Sequence, residues 1–474
     1  MTPYIRILSI AFLLLTALSI SGDEPDEYGQ GALMDPDLYE SIDQKPVLLT
    51  RDYVTLPKAH SLKHYSPFPG NQGQYGTCNA WANAYAARTI LESIALGRTN
   101  RTLITENVFS PAFLYKSISN DPTCRSGTYI DSAMRLMKHE GIVKRLPVEE
   151  KIDFRDISLS LFTTNRRYPI SDFVRVFLRW GSGAMEEKAR PVKKSIAEGK
   201  PVIISMLCPP SFTSPFPWAP RIKDVWIPQE SFNRNLNGHA MCVVGYDDDK
   251  FGGAFEVQNS WGTFWGDGGY FWIRYADFAV WVVEAYEIIE NLSNFKNSAQ
   301  YGAAIKTEIF LSKANMPVRY NPAGFYSTLS SYPTGTDFRF LMTNKYPAYV
   351  YAFSADSATP DVTHIFPSKG VSPVMDYSGS TVAWPGETKW IRMDEKIGTD
   401  YLVVLYSKEA LDIAAIETRF ANEKGAFPAR VARAVGHNFI PHSQAQYTLD
   451  TIEFSAQSPN PKAVFGLLLA IGHR

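Results

Sequence analysis

The run CNAWANAYAARTILESIALG, residues 78–97, constrains the fold most. Ala80, Ala84, Ala87, Leu91 and Ile94 recur at spacings of three and four, which marks one face of a helix. The run predicts a helix of roughly five turns, with Gly97 as its stop. Directly before it lies GNQGQYGT, residues 70–77. A turn needs those glycines, but it does not need Gln72, nor a cysteine, Cys78, at the helix start.

A thiol attacks as thiolate, and a helix N-terminus and a neighbouring imidazolium both favour that form. The chain has 8 His. His364, His437, His442 and His473 fall in a later region of different pattern, and His60 and His64 lie in a polar stretch. His139 sits between Lys138 and Glu140 near an exposed helix end. His239 instead opens an apolar strand-like run, HAMCVVGYD, after the flexible NLNG. Asn259, in QNSWGTFWGDGGY, can accept a ring N–H and orient the imidazole, and Trp261 and Trp265 can shield that bond from water. Gln72 and the backbone N–H of Cys78 could together stabilise an oxyanion. Singly, each residue has a plainer reading: an inert buried thiol, a core histidine, a turn asparagine, a loop glutamine. The four in this order favour a nucleophile with its base, its orienter and its oxyanion donor.

These residues resemble the papain-like cysteine peptidases. QGQYGTC matches the loop and nucleophile, GHAMCVVGYD the histidine strand, and NSWGTFWG the asparagine motif. The likeness covers roughly residues 56–290. It implies an α+β fold of two lobes, Cys78 on a helical lobe, His239 and Asn259 on a β-rich lobe, and substrate between them. It also implies that Ser126, Gly127 and Gly238 lie along an extended peptide backbone. No metal or organic cofactor is implied. Four departures stand out. Asn79, not Trp, follows the nucleophile, and Tyr75 occupies the place of a usual Cys, so Cys124 in CRSG lacks its expected partner. The family's long helical propeptide is not expected, since fewer than about 60 residues precede the family-like stretch that starts near residue 56. The Cys78–His239 gap is 161 residues (239 − 78), against ~130–150 in the family; a Pro-rich insert before Asn237 takes up the excess, near the cleft. An acyl-transfer enzyme (transglutaminase- or amidase-like) and a catalytically silent binding protein remain alternatives.

The rest of the chain sets the frame. Its 474 residues suit two or three domains. A net charge of −1 and the lack of a basic run give no reason to expect a nucleic-acid partner. The 4 Cys are too few for a disulfide framework and have no C-x-x-C spacing for zinc. One Arg and a short apolar run within residues 1–22 read as a secretory signal, so the protein is expected to be secreted or periplasmic. Residues 23–55 are expected to form a short prosegment or linker, 56–290 the peptidase domain, and 291–309 a second linker. Within the peptidase domain helices come first and strands second. Short strand-like runs over residues 310–474 predict a separate antiparallel β-rich domain. YVYAFSADSATPDVTHIFPS and GTDYLVVLYSKEALDI give it a likeness to a bacterial module of undefined function. The expected partners are a protein or peptide substrate and, through the last domain, a protein or the cell envelope.

Overall fold

The computed structural model describes residues 28–46, 56–213, 222, 224–290, 299–357, 362–379 and 381–474. The signal expected at residues 1–22 lies outside the described residues. Among the described residues, no helix is long and apolar enough to cross a membrane.

The first domain is papain-like in architecture, with a helical lobe set against a sheet. The helix expected from residue 78 runs unbroken to residue 95, but its middle is not α. Cys78–Ala80 and Thr89–Ala95 are α-helical, while Trp81–Arg88 is wound as a π-helix. Asn83 Nδ2 bonds back to Asn79 O at 2.9 Å, and Thr89 Oγ1 to Ala84 O at 3.3 Å, which loosens the ordinary ladder. The apolar face reads as expected: Ala80, Ala84, Ala87 and Leu91 are buried in the core, and Ile94 packs at its edge. The short strand Thr128–Tyr129 leads directly into the helix Ile130–His139.

The sheet follows the order Asp172–Arg175, Val282–Ile289, Val202–Leu207, Gly238–Asp247, Ala254–Gln258, Tyr270–Arg274, Val225–Trp226. Val202–Leu207 is buried along its whole length, as its run of branched apolar residues dictates. It pairs antiparallel with Gly238–Asp247, so Met206 lies opposite His239 and Ser205 opposite Ala240. That central pairing fixes the start of the histidine strand over the helix N-terminus.

The second domain is β-rich and begins earlier than the sequence suggested. Gln300–Ile309 falls in the stretch expected as linker, yet it is an inner strand of a sheet between Asp337–Asn344 and Ile452–Gln457. Two sheets face each other over one core. The strand Ala348–Asp356 shows why both of its faces are covered. Ala348, Val350 and Ala352 enter the inter-sheet core, while Tyr349, Tyr351 and Phe353 face an outer layer of helices Ile413–Asn422 and Phe427–Val435. The pairing is not purely antiparallel: Phe325–Tyr332 runs parallel to Val464–His473. Val174 and Ile289 of the first domain join that outer layer, so the two domains share packed side chains.

Candidate active site

Cys78 is the first residue of its helix, and Thr77 holds the N-cap position. Its Sγ accepts the Ala240 N–H at 3.4 Å, which brings the thiol against the residue after His239. His239 Nε2 lies 2.7 Å from Asn259 Oδ1. An amide oxygen only accepts, so Nε2 carries the proton and Nδ1 the lone pair. Nδ1 is buried and has no hydrogen-bond partner among the described residues. Trp261 stacks on the imidazole at 4.4 Å, and Trp265 stands edge-on to Trp261 at 5.2 Å. Phe212, at the start of the Pro-rich insert, packs on both indoles. Residues 214–221 of that insert lie outside the described residues.

Gln72 is tied to the asparagine loop. Its N–H donates to Ser260 O at 2.8 Å, and its Oε1 accepts from Ser260 Oγ at 2.6 Å. This leaves its Nε2 to donate toward the cleft. Ser126 lies close to Gly76 and Gly127 close to Gly31, and Ser126 O accepts from Tyr115 OH at 2.7 Å. Contacts thus link the neighbourhoods of Cys78, His239, Asn259 and Gln72, while Gly238 pairs with Ala32. Among the described residues, no group of three His, Cys, Asp or Glu side chains is arranged to hold a metal.

The cleft is filled by the chain itself. Gly29 O accepts from Gln72 Nε2 at 3.0 Å and from Trp261 Nε1 at 3.2 Å, and Tyr28 stacks on Trp261 at 4.7 Å. The Gly31 N–H is directed at the Cys78 thiol. Gly31 O accepts the Thr128 N–H at 2.9 Å, and Ala32 pairs with both Thr128 and Gly238. The approach is close enough to require glycine. A Cβ on Gly31 would lie 2.2 Å from Gly76 O, and one on Gly238 would lie 2.4 Å from Ala32 O. The sequence offered only a faint sign of this segment, the glycine pair in YGQGAL within an otherwise polar stretch.

Occlusion sets the protonation of the pair. Burial pushes the Cys78 thiol up to about 11, against the opposing pull of the Ala240 and Gly31 N–H groups. Burial pulls His239 down to about 4, which the Asn259 bond only partly offsets. The helix N-terminus and imidazole expected to favour a thiolate are thus overridden while the segment is in place. Cys124, Cys208 and Cys242 are all buried and free, so none is in a disulfide.

Sequence reasoning missed Glu284. It is buried, and it pairs across the sheet with Ser205, whose own partner Ala240 touches the thiol. Its carboxylate accepts from Trp180 Nε1 at 3.1 Å, from Tyr286 OH at 3.2 Å and from the backbone of Asp35. Burial raises it to about 7 despite these donors. Nothing in its local pattern, WVVEAYE, distinguishes it from a strand residue facing solvent.

Residues 69–288 match the model of the papain family of cysteine proteases. This domain belongs to the papain family. The papain-family domain is 26% identical over 238 residues to an uncharacterized peptidase C1-like protein of Acanthamoeba polyphaga mimivirus, across 48% of this chain and 68% of that protein. It is 25% identical over 202 residues to cysteine proteinase 3 of Entamoeba histolytica, across 42% of this chain but only 57% of that one. Among solved structures it is similar to xylellain, a cysteine protease from Xylella fastidiosa, with 21% identity, a TM-score of 0.40, and coverage of 56% of this chain and 97% of that one. Through this papain-family domain the chain is a cysteine peptidase.

Proposed function

We propose that the protein hydrolyses peptide bonds through Cys78, His239 and Asn259, with Gln72 completing an oxyanion hole. The carrying observation is the 2.7 Å contact between His239 Nε2 and Asn259 Oδ1, which leaves Nδ1 as a base on the ring whose next residue touches the thiol. In this reading Nδ1 takes the Cys78 proton and the thiolate attacks the substrate carbonyl carbon. The Gln72 amide and the Cys78 N–H stabilise the oxyanion. The imidazolium then protonates the leaving amine, and the thioester is hydrolysed by water that His239 deprotonates. Ser126, Gly127 and Gly238 would hold the substrate backbone, and Trp261 and Trp265 would keep the His–Asn bond dry.

Residues 28–35 act in this reading as a short prosegment. They occupy the cleft beside Cys78, with Gly29 O held by Gln72 and Trp261 and Gly31 O held by Thr128, so the segment blocks access to the thiol. Its exit would readmit water and let the thiol and imidazole exchange their proton. The apolar N-terminal run supports export before activation.

The test is intact-mass analysis after treatment with an epoxysuccinyl peptide. The Gly31→Ala variant is used because its Cβ would strike Gly76 and push the segment out. One adduct is expected, and none when Cys78→Ala is added. A folded Gly31→Ala protein that takes no adduct, or an adduct that survives Cys78→Ala, would overturn the reading.

A further inference from the structure

The segment that fills the cleft does not end there. After the helix Pro36–Ser41 it runs on through residues 42–46 into the seam between the two domains. There it behaves as a strand shared by both. On one edge, Asp43 O accepts the Arg175 N–H at 3.0 Å, and Lys45 N–H donates to Arg175 O at 3.0 Å. On the other edge, Gln44 N–H donates to Gly370 O at 2.8 Å, and Gln44 O accepts the Ser372 N–H at 3.0 Å. Residue 44 thus gives both backbone groups to the C-terminal domain, while its neighbours give theirs to the peptidase domain.

Side chains close the same seam. Lys45 Nζ, buried, lies 2.7 Å from Glu198 and 2.7 Å from Glu287, and donates to Ser195 Oγ at 3.3 Å. Lys194 meets Glu198 at 2.9 Å, and Lys200 meets Asp376 at 2.6 Å, both pairs buried. Three ammonium groups therefore face three carboxylates, and the N-terminal segment, the peptidase domain and the C-terminal domain each supply members. Such a cluster holds only if all its members stay, because a lone charge left out of water is costly.

We infer that the C-terminal domain functions as a clamp that retains the N-terminal segment in the catalytic cleft. This rests on reading residues 28–35 as a blocking segment. The clamp grips the segment at residue 44, beyond the helix and away from the thiol. Opening this seam costs the segment two backbone hydrogen bonds and exposes Lys45 to water, so residues 28–35 lose their distal anchor. Activity would then depend on whatever loosens the domain seam, not only on cleavage near the cleft.

The test uses the full-length protein and the rate at which an epoxysuccinyl peptide labels Cys78, read by intact mass. Gln44→Pro deletes the N–H that Gly370 accepts and leaves the bonds to Arg175 in place. Asp376→Ala removes the carboxylate that the C-terminal domain contributes. Gly31→Ala serves as the reference for a segment expelled at the cleft. Each variant is checked by circular dichroism, and Gln44→Pro decides alone if Asp376→Ala does not fold. The expected result is labelling about tenfold faster than wild type in Gln44→Pro, the effect of one lost hydrogen bond on a closed-to-open equilibrium. Wild-type rates in the folded clamp variants, with fast labelling in Gly31→Ala, would overturn the clamp and leave the blocking reading standing. No labelling in folded Gly31→Ala would overturn the blocking reading, and the clamp with it.

Discussion

Two buried polar clusters sit on the same N-terminal segment, and burial treats them in opposite ways. At the cleft end, Cys78 and His239 have no opposite charge beside them, so removal from water drives both toward neutrality. At the seam end, burial pulls Lys45 down, but Glu198, Glu287 and Asp376 overcome it and hold the ammonium above its ordinary value. Glu198 behaves as the mirror image: burial raises it, and Lys45 and Lys194 bring it net below its usual range. Desolvation alone therefore does not fix a protonation state. The partners inside the cluster decide it for Lys45 and Glu198, whereas burial still holds the Glu287 carboxyl above its usual range despite Lys45.

The largest way to sharpen this contrast is to remove the base. In the Gly31→Ala background, His239→Ala is expected to lower kcat/KM for a peptide substrate by at least ~10^4-fold, with urea denaturation showing little change in stability. A loss below tenfold would mean the imidazole does not take the thiol proton. Next comes the anchor. Lys45→Met leaves Glu198 and Glu287 short of a cation and is expected to cost roughly 3–5 kcal/mol in urea unfolding. The double variant Lys45→Met/Glu287→Leu should recover part of that loss; no recovery would show that packing, not charge, dominates the seam. Gln72→Ala, again in the Gly31→Ala background, should lower kcat by ~10²–10³-fold with a small change in KM. A change confined to KM would make Gln72 a binding residue instead.

The smallest effect tests a third buried group. Glu284 is raised above its unfolded value of 4.5 to about 7, so the folded state holds a proton that the unfolded chain has released. Between those values the native state binds more protons, and stability falls as pH rises through about 4.5 to 7, then levels off. The full difference is of order 3 kcal/mol. Glu284→Gln should flatten the decline in melting temperature between pH 5 and 8, as calorimetry at both ends would record. A variant that declines as steeply as wild type would assign the slope to other groups.

Much of the candidate site was legible in the chain. Gln72, Cys78, His239 and Asn259 were each singled out by residue type and neighbours, and in the fold His239 bonds Asn259, the next residue Ala240 bonds Cys78, and Ser260 bonds Gln72. Local pattern also announced the strand around residues 239–247 and the helix from residue 78. The strand Gln300–Ile309 was harder. Its sequence, QYGAAIKTEI, has three small residues in a row and then two charged ones, and only pairing with two neighbours makes it an inner strand. The π-helical turns escaped for a similar reason, since the residues that loosen the ladder bond to carbonyls visible only once the helix is built.

The sequence by itself determined the chemistry on offer: a cysteine at a helix start, an imidazole at a strand start, an amide to orient it and another to meet an oxyanion. These are local matters of residue type, spacing and period. Only the tertiary structure decided whether that chemistry is exposed. The plug at Gly31, the buried carboxylate of Glu284 and the anchor at Lys45 all arise from groups far apart in the chain. Their contacts depend on how three segments share one interior, and no local pattern carries that information.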